Sequence, residues 1–162
     1  MPESTTWLQS FDWGAALQIA VAAILGAVVG LERIWGGHPA GLRTNMLIAI
    51  SSCLFTILSI EAFPQKGAAQ DTARVAAQIV TGVGFLGAGA VLQSKRDIRG
   101  LTTAATIWQV AAIGMAVGTG YYFLAVFATF LSTGLLVFLR PVSRHLEKNA
   151  EDRVSRDPST KD

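Results

Sequence analysis

The chain has 162 residues, enough for one domain, and 51% of them are hydrophobic whereas only 15% are charged. Because a soluble domain carries roughly 25% charged residues, this composition and a mean hydropathy of +0.45 argue against an ordinary soluble protein. We therefore predict a membrane protein whose first partner is the lipid bilayer. The formal net charge is +2, and we expect no nucleic-acid partner.

Long blocks without Asp, Glu, Lys or Arg define the predicted spans, which in chain order are 13–31, 44–60, 75–94 and 100–139. A transmembrane helix needs about 20 residues, so the last block is long enough for two spans and is predicted to break at Gly118-Thr119-Gly120. The sequence thus predicts an all-α, polytopic membrane protein with five transmembrane helices. We expect the second span to face other helices rather than lipid, because it carries the polar residues Asn45, Ser51, Ser52, Thr56 and Ser59.

The distribution of basic residues predicts the orientation of these helices. With the amino terminus outside, segments 32–43, 95–99 and 140–162 lie inside and hold every Lys and Arg except Lys66 and Arg74. The positive-inside rule then places the carboxy terminus in the cytoplasm. Residues 1–140 are predicted to form one transmembrane domain. Residues 141–162 are predicted to form a basic to polar cytoplasmic tail, with a short helix at 141–153.

The third span contains the glycines Gly82, Gly84, Gly87 and Gly89, which include a G-x-G-x-x-G pattern. A dinucleotide-binding turn needs a preceding strand and an acidic residue about 20 residues later, and an uncharged span offers neither. We interpret the glycines as packing positions, because small residues let helices approach closely in lipid. Since they fall on two sides, the third helix is predicted to lie at the centre of the bundle, and Gly84→Leu or Gly87→Leu should reduce the folded protein. Matching small faces are predicted at Gly26, Gly30, Gly114 and Gly118.

Two parts of the chain resemble each other. Leu-Gly-Ala at 25–27, followed by Gly-Leu-Arg-Thr at 41–44, corresponds to Leu-Gly-Ala at 86–88, followed by Gly-Leu-Thr-Thr at 100–103. This pattern predicts a parallel repeat of helices 1–2 and 3–4, related by an axis along the membrane normal. Chance similarity between segments rich in Gly, Leu and Ala is the alternative.

The cytoplasmic rim, where these spans begin and end, holds the candidate functional residues. Thr44, Asn45, Thr102 and Thr103 are predicted to cap the first turns of helices 2 and 4. The positive ends of both helix dipoles would then lie beside Arg43 and Arg99. Such an arrangement suits an anion such as a phosphate or a lipid headgroup. Ordinary capping combined with the positive-inside bias is the alternative.

The same rim carries Glu32 and Asp97, two carboxylates that could hold a hydrated Mg²⁺ ion. The adjacent Arg33, Lys95 and Arg96 make salt bridges the competing outcome. No predicted span has a Lys, Arg, Asp or Glu near its middle, whereas pumps and ion-coupled transporters usually carry such a residue. No catalytic constellation or nucleotide motif is recognisable, so we expect neither an enzyme nor a cofactor.

Three blocks of the sequence, LGAVVGLERIWGGHPAGLRTNMLIAI, AAQIVTGVGFLGAGAVL and RGLTTAATIWQVAAIG, resemble the MgtC/SapB family of bacterial inner-membrane proteins. The resemblance covers residues 15–120 and supports five spans with the carboxy terminus inside. It implies location in the bacterial inner membrane and an association with growth under magnesium limitation. For some members it also implies restraint of the membrane ATP synthase. Longer members carry an ACT-like carboxy-terminal domain, which we expect to be missing from this chain.

The resemblance also implies a set of functional positions and a function. The rim positions carried over to this sequence are Glu32, Arg33, Gly41, Leu42, Arg43, Thr44, Asn45, Asp97, Arg99, Gly100, Leu101, Thr103 and Trp108. We expect a non-enzymatic regulator of another membrane complex, with the ATP synthase as the implied partner, whose small-residue faces could also support a homo-oligomer. The alternative is a transporter or channel for Mg²⁺ or another small solute. A water-filled path between helices 2 and 4, lined by Thr44, Asn45 and Thr103, would favour the transporter, and a closed, glycine-packed bundle would count against it.

Overall fold

The computed structural model describes residues 13–61, 72–94 and 97–141, and in this part the chain forms five α-helices and one short β-hairpin. The helices are α1 (Trp13–Trp35), α2 (Leu42–Glu61), α3 (Thr72–Ala90), α4 (Leu101–Gly118) and α5 (Tyr122–Phe138). The predicted helical architecture is therefore confirmed. The predicted tail falls almost entirely on residues 142–162, which lie outside the described part.

Three of the described helices, α1, α2 and α4, are long and apolar enough to cross a membrane, with mean hydropathies of 2.2, 1.5 and 1.4. The remaining apolar stretches, Arg74–Ala90 and Tyr122–Phe138, are shorter. The predicted break between the fourth and fifth helices is confirmed, because α4 ends at Gly118 and α5 begins at Tyr122. Gly120 allows the turn between them by adopting a left-handed backbone with φ 81°. The number of membrane crossings and their orientation stay predictions.

A two-stranded antiparallel hairpin, β1 (Leu92–Ser94) and β2 (Asp97–Arg99), separates α3 from α4. The predicted third span, 75–94, is therefore shifted along the chain, since α3 begins at Thr72 and ends at Ala90. Gly100 follows the hairpin in a left-handed conformation, with φ 92°. A Cβ at this position would also collide with the Ala90 carbonyl oxygen. Both constraints favour glycine where the chain turns from the hairpin into α4.

The centre of the bundle is formed by α2 and α4: α2 packs against α1 and α4, and α4 packs against each of the other four helices. Ala49 of α2 is fully buried between these neighbours. A Cβ added to Gly26 of α1 would lie 2.9 Å from the Ala49 Cβ, and one added to Gly114 of α4 would collide with the Ala49 carbonyl oxygen. The predicted small faces of α1 and α4 therefore exist, and both contact α2.

The prediction that the third helix lies at the centre is wrong. α3 packs mainly against α4, where a Cβ added to Gly87 would lie 3.6 Å from the Ala104 Cβ. Nothing described lies within 4 Å of a Cβ added to Gly82, Gly84 or Gly89. Gly82 and Gly89 instead line open grooves beside α2, and of the four glycines only Gly87 is in packing contact within the described chain.

The polar residues of the second span are mostly buried, as expected for a helix that faces other helices. Asn45, Ser52, Thr56 and Ser59 are buried, whereas Ser51 is exposed. The Thr56 hydroxyl donates to the Ser52 carbonyl oxygen at 2.7 Å, so this polar group is satisfied inside its own helix.

One packing contact occurs at equivalent positions in both halves of the predicted repeat. Gly26 of α1 lies against Asn45, the fourth residue of α2, and Gly87 of α3 lies against Ala104, the fourth residue of α4. This correspondence agrees with a parallel repeat, which otherwise stays a prediction.

Candidate functional site at the basic end

The basic end of the bundle comprises the last turn of α1, the 36–41 loop, the first turns of α2 and α4, and Arg140 beyond α5. Close packing brings these parts together: a Cβ added to Gly30 would lie 2.7 Å from the Leu42 Cα. Arg140 joins α5 to the loop, because its Nη2 donates to the Gly36 carbonyl oxygen at 2.9 Å. Five predicted rim residues meet here, namely Glu32, Arg33, Gly41, Leu42 and Asn45.

Glu32 and Arg33 form a buried ion pair at this end. Arg33 Nε donates to Glu32 Oε2 at 2.6 Å, and the side chains are 6% and 2% exposed, respectively. Glu32 therefore forms a salt bridge, which was the predicted alternative to metal binding. Asp97 lies in β2, and its side chain lies outside the described part. Across the described residues, no group of three His, Cys, Asp or Glu side chains is placed to hold a metal ion.

Asn45 connects the first turn of α2 to the preceding loop. It is fully buried, and its Nδ2 donates to the carbonyl oxygens of Ala40 and Gly41, each at 2.8 Å. These two bonds fix the orientation of the amide, because a flipped amide would turn its own oxygen toward both carbonyls. The predicted capping role is therefore wrong for Asn45, since its side chain donates to carbonyls instead of accepting from N–H groups.

The predicted caps of the fourth helix are also wrong. α4 is capped at its amino end by Gly100, without any side-chain hydrogen bond. Thr103 lies inside the helix and is only 2% exposed. The first-turn N–H groups of α4 are therefore left without the side-chain acceptors that Thr102 and Thr103 were expected to supply.

His38 is a member of the site that the sequence did not single out. Burial and the nearby Arg33 guanidinium lower the pKa of His38, Arg140 acts in the same direction, and Glu32 partly opposes them. The backbone places His38 here, because its N–H donates to the Arg33 carbonyl oxygen at 2.9 Å and so closes the end of α1. The proximity of Arg140, more than a hundred residues later in the sequence, left no local signal.

The lowered pKa of His38 predicts a pH dependence of stability. The unfolded chain binds a proton near pH 6.5, the usual value for histidine, whereas the folded chain resists protonation. Stability is therefore fully present above that pH and falls as the pH drops through it. We expect the thermal midpoint of the detergent-solubilised protein to fall between pH 8 and pH 5.5, and to fall less in His38→Gln. Equal pH dependence of the two proteins would contradict this assignment.

Replacing Asn45 tests the connection between loop and helix. In Asn45→Leu the Ala40 carbonyl loses its buried donor, and such an unsatisfied group costs about 1–3 kcal/mol, whereas the Gly41 carbonyl keeps the backbone N–H of residue 45 at 3.2 Å. We expect the thermal midpoint to drop clearly, with easier proteolysis in the 36–41 loop. Ser51→Leu, at an exposed position of the same helix, is the matched control and should change little.

The remaining predicted rim residues lie around this cluster without joining it. Arg43, Thr44 and Leu101 are exposed, and Arg99 belongs to β2 with Gly100 directly after it. Trp108 is 54% exposed and lines a separate groove between α3 and α4. A second groove, of about 470 Å³, opens beside the first turn of α2, lined by Pro39, Ala40, Thr44, Phe85, Leu86, Gly89, Ala90, Thr103 and Ile107.

Comparison with known proteins identifies the family. The sequence signature of the MgtC family matches residues 19–145. YhiD of Escherichia coli (strain K12), named as a candidate magnesium transporter, is 43% identical over 138 residues, which are 82% of this chain and 64% of that protein. Protein SapB of Bacillus subtilis is 47% identical over 111 residues, covering 65% of this chain and 48% of SapB.

Protein MgtC of Salmonella typhimurium (strain 14028s) is 39% identical over 132 residues, covering 82% of this chain and 55% of MgtC. The chain thus spans between about half and two thirds of the length of these relatives, none of which is named as an enzyme. No solved structure matches the chain. The extent of the family match and the identity to these proteins show that the chain belongs to the MgtC family.

Proposed function

We propose that this chain is a non-enzymatic regulator in the bacterial inner membrane, made during adaptation to magnesium limitation. It acts through its helix surfaces on another membrane complex, and the ATP synthase is the first candidate. The observation that carries the proposal is a contrast within the bundle: the interface between α2 and α4 is closed, whereas α3 carries open glycines on two of its sides.

The closed interface supports a regulator over a transporter. Gly114 is packed directly onto the Ala49 backbone, and a Cβ added to Gly118 would lie 2.8 Å from the Cys53 carbonyl oxygen. Of the three residues predicted to line a path, Asn45 and Thr103 are buried, whereas Thr44 is exposed and lines a mostly apolar groove. Two helices in backbone contact leave no room for a hydrated ion between them at these levels.

The open sides of α3 offer a surface for another membrane helix. Gly82, Gly84 and Gly89 have no described neighbour within 4 Å of an added Cβ, so a partner backbone could approach closely. In lipid, helices associate through such small residues and through interhelical hydrogen bonds. Gln78 and Thr81 are exposed on the same helix and could supply polar contacts. This surface of α3 could also pair with a second copy of the chain.

The proposed topology has five spans, with the amino terminus outside and the carboxy terminus in the cytoplasm. The strong excess of basic residues on one side supports this orientation. The hydrogen bond of Arg140 to Gly36 also supports it, because it brings the end of α5 to the same end of the bundle as the loop between α1 and α2.

ATP-driven proton pumping by inverted membrane vesicles tests the proposed partner. We expect vesicles containing the protein to pump less than vesicles without it. Gly84→Leu should restore pumping at an unchanged protein level, because it obstructs one open side of α3 while no described atom lies within 4 Å of the added Cβ. Ala20→Leu, which introduces the same side chain at an exposed position of α1, should still lower pumping. Equal pumping with and without the wild-type protein would rule out the ATP synthase as the regulated complex.

A transporter or channel for Mg²⁺ or another small solute is the second candidate. It is favoured by the buried polar and charged side chains at the basic end, Glu32, Arg33 and Asn45, and by the name of the Escherichia coli relative. Ionisable groups inside transmembrane proteins often mark a substrate path. Flux through the purified protein separates the two candidates.

A further inference from the structure

Buried polar atoms without partners are concentrated at the basic end. Among the described residues, Arg33 Nη1, His38 Nδ1 and Asn45 Oδ1 are buried and make no hydrogen bond, and the fourth such atom is Thr133 Oγ1. Arg33 is only 2% exposed, and its ion pair with Glu32 uses a different nitrogen, Nε. A buried guanidinium N–H without an acceptor is costly, so this atom indicates a missing acceptor.

The charges around Arg33 show which kind of ligand the cluster suits. Glu32 neutralises one guanidinium, Arg140 adds a second at the 36–41 loop, and the lowered pKa of His38 keeps its ring neutral at pH 7. The cluster therefore carries an excess of one positive charge. A cation would be repelled, whereas an anion would supply the missing acceptor and balance the charge.

The first turn of α2 adds further donors at the same level. Gly41 lies against Ile34, since a Cβ added to Gly41 would be 2.9 Å from Ile34 Cγ1. Arg33 precedes Ile34 on α1 and thus lies at the height of this turn. The N–H groups of Leu42, Arg43 and Thr44 have no acceptor within their own helix, and the helix dipole makes this end positive. Arg33 and the start of α2 therefore lie at the same level of the bundle.

We propose that the basic end binds the phosphate group of an anionic phospholipid. The phosphate accepts from Arg33 Nη1 beneath the 36–41 loop, and Arg140 at the rim of the loop helps to balance its charge. This end terminates apolar helices long enough to cross a bilayer, so lipid phosphates lie at its depth. The groove of about 470 Å³ beside α2, lined mostly by apolar residues including Phe85, Leu86 and Ile107, accommodates an acyl chain of the same lipid. The proposal concerns a lipid site and stands apart from the choice of regulated complex.

Thermal unfolding of the full chain in a neutral detergent tests this site. Three additives are compared: short-chain phosphatidylglycerol, phosphatidylcholine with the same chains, and inorganic phosphate. We expect only phosphatidylglycerol to raise the midpoint at low concentration. Arg33→Gln and Arg140→Gln should each weaken that response about tenfold, the equivalent of one charge-assisted hydrogen bond. Arg74→Gln, which removes an exposed positive charge at the opposite end of α3, should leave it unchanged.

The possible outcomes separate the sources of phosphate. If inorganic phosphate raises the midpoint as strongly as the lipid does, the site takes free phosphate and the lipid assignment is overturned. If the lipid response is the same in Arg33→Gln and Arg140→Gln as in the wild type, or if no additive acts, Arg33 Nη1 is satisfied by a buried water and the whole proposal fails. Arg140→Gln alone carries the test if Arg33→Gln does not fold, because Arg140 is only partly buried.

Discussion

Replacing Gly114 with leucine is expected to abolish accumulation of the folded protein in the membrane. A Cβ at this position would collide with the Ala49 carbonyl oxygen and lie 3.0 Å from the Ser52 Cβ. Backbone atoms cannot move aside as a flexible side chain can, so α4 would have to separate from α2. Overpacking of this kind typically costs about 1–3 kcal/mol, and occasionally more, and we expect the upper end of that range or beyond. The measurement is the yield of monodisperse protein after detergent extraction.

Gly84→Leu is the matched comparison, because it makes the same chemical change where no described atom lies within 4 Å of the added Cβ. We expect its yield to equal that of the wild type. The sequence alone predicted a loss of folded protein for Gly84→Leu, because Gly84 was interpreted as a packing position. A wild-type yield of this variant would support the structure, in which Gly84 is not packed. Equal yields of Gly114→Leu and wild type would mean that α2 and α4 are not packed as described.

Breaking the buried ion pair is expected to have the second largest effect. In Arg33→Met the carboxylate of Glu32, which is 5% exposed, loses its only charged partner among the described residues. Leaving one buried charge uncompensated typically costs about 3–5 kcal/mol. The thermal midpoint should therefore fall strongly, whereas Arg43→Met, at an exposed position on the first turn of α2, should change it little.

A double variant shows whether the pair itself is responsible. Glu32→Gln combined with Arg33→Met removes both charges together, and replacing a whole buried pair is often neutral. We expect the double variant to be more stable than Arg33→Met alone. If the two substitutions destabilise additively, the side chains do not interact in the folded protein, and the description of the basic end would need revision.

The sequence predicted well those features that depend on local composition. The break at Gly118-Thr119-Gly120 followed from span length and two glycines, and the burial of Asn45, Ser52 and Thr56 followed from polar side chains in an otherwise apolar helix. Each of these inferences uses only neighbours along the chain. The family was likewise recognisable from three contiguous blocks.

The arrangement of helices was predicted less well, for a physical reason. Gly82 and Gly84 show that the backbone of α3 can be approached closely, but a glycine does not specify which helix approaches it, or whether one does. The close packing of α1 and α4 on α2 depends on Ala49, a small residue that only becomes distinctive once Gly26 and Gly114 are seen to contact it.

The candidate site could be predicted in part. Glu32, Arg33 and Asn45 were identified, but their pairing was not, because Asn45 was expected to accept from N–H groups and instead donates to two carbonyls. His38 and Arg140 were missed, since the contact of Arg140 with Gly36 joins residues 104 positions apart. No periodicity or spacing rule detects such a contact.

The most direct test of the proposed function is Mg²⁺ flux into proteoliposomes that carry the purified, demonstrably folded protein. Empty liposomes, an added Mg²⁺ ionophore and the variants Arg43→Ala and Asp97→Asn serve as comparisons. The closed contact of Gly114 and Gly118 with α2 predicts that uptake does not exceed that of empty liposomes for any of these proteins. Uptake by the wild type that is lost in either variant would contradict the regulator and establish a transporter.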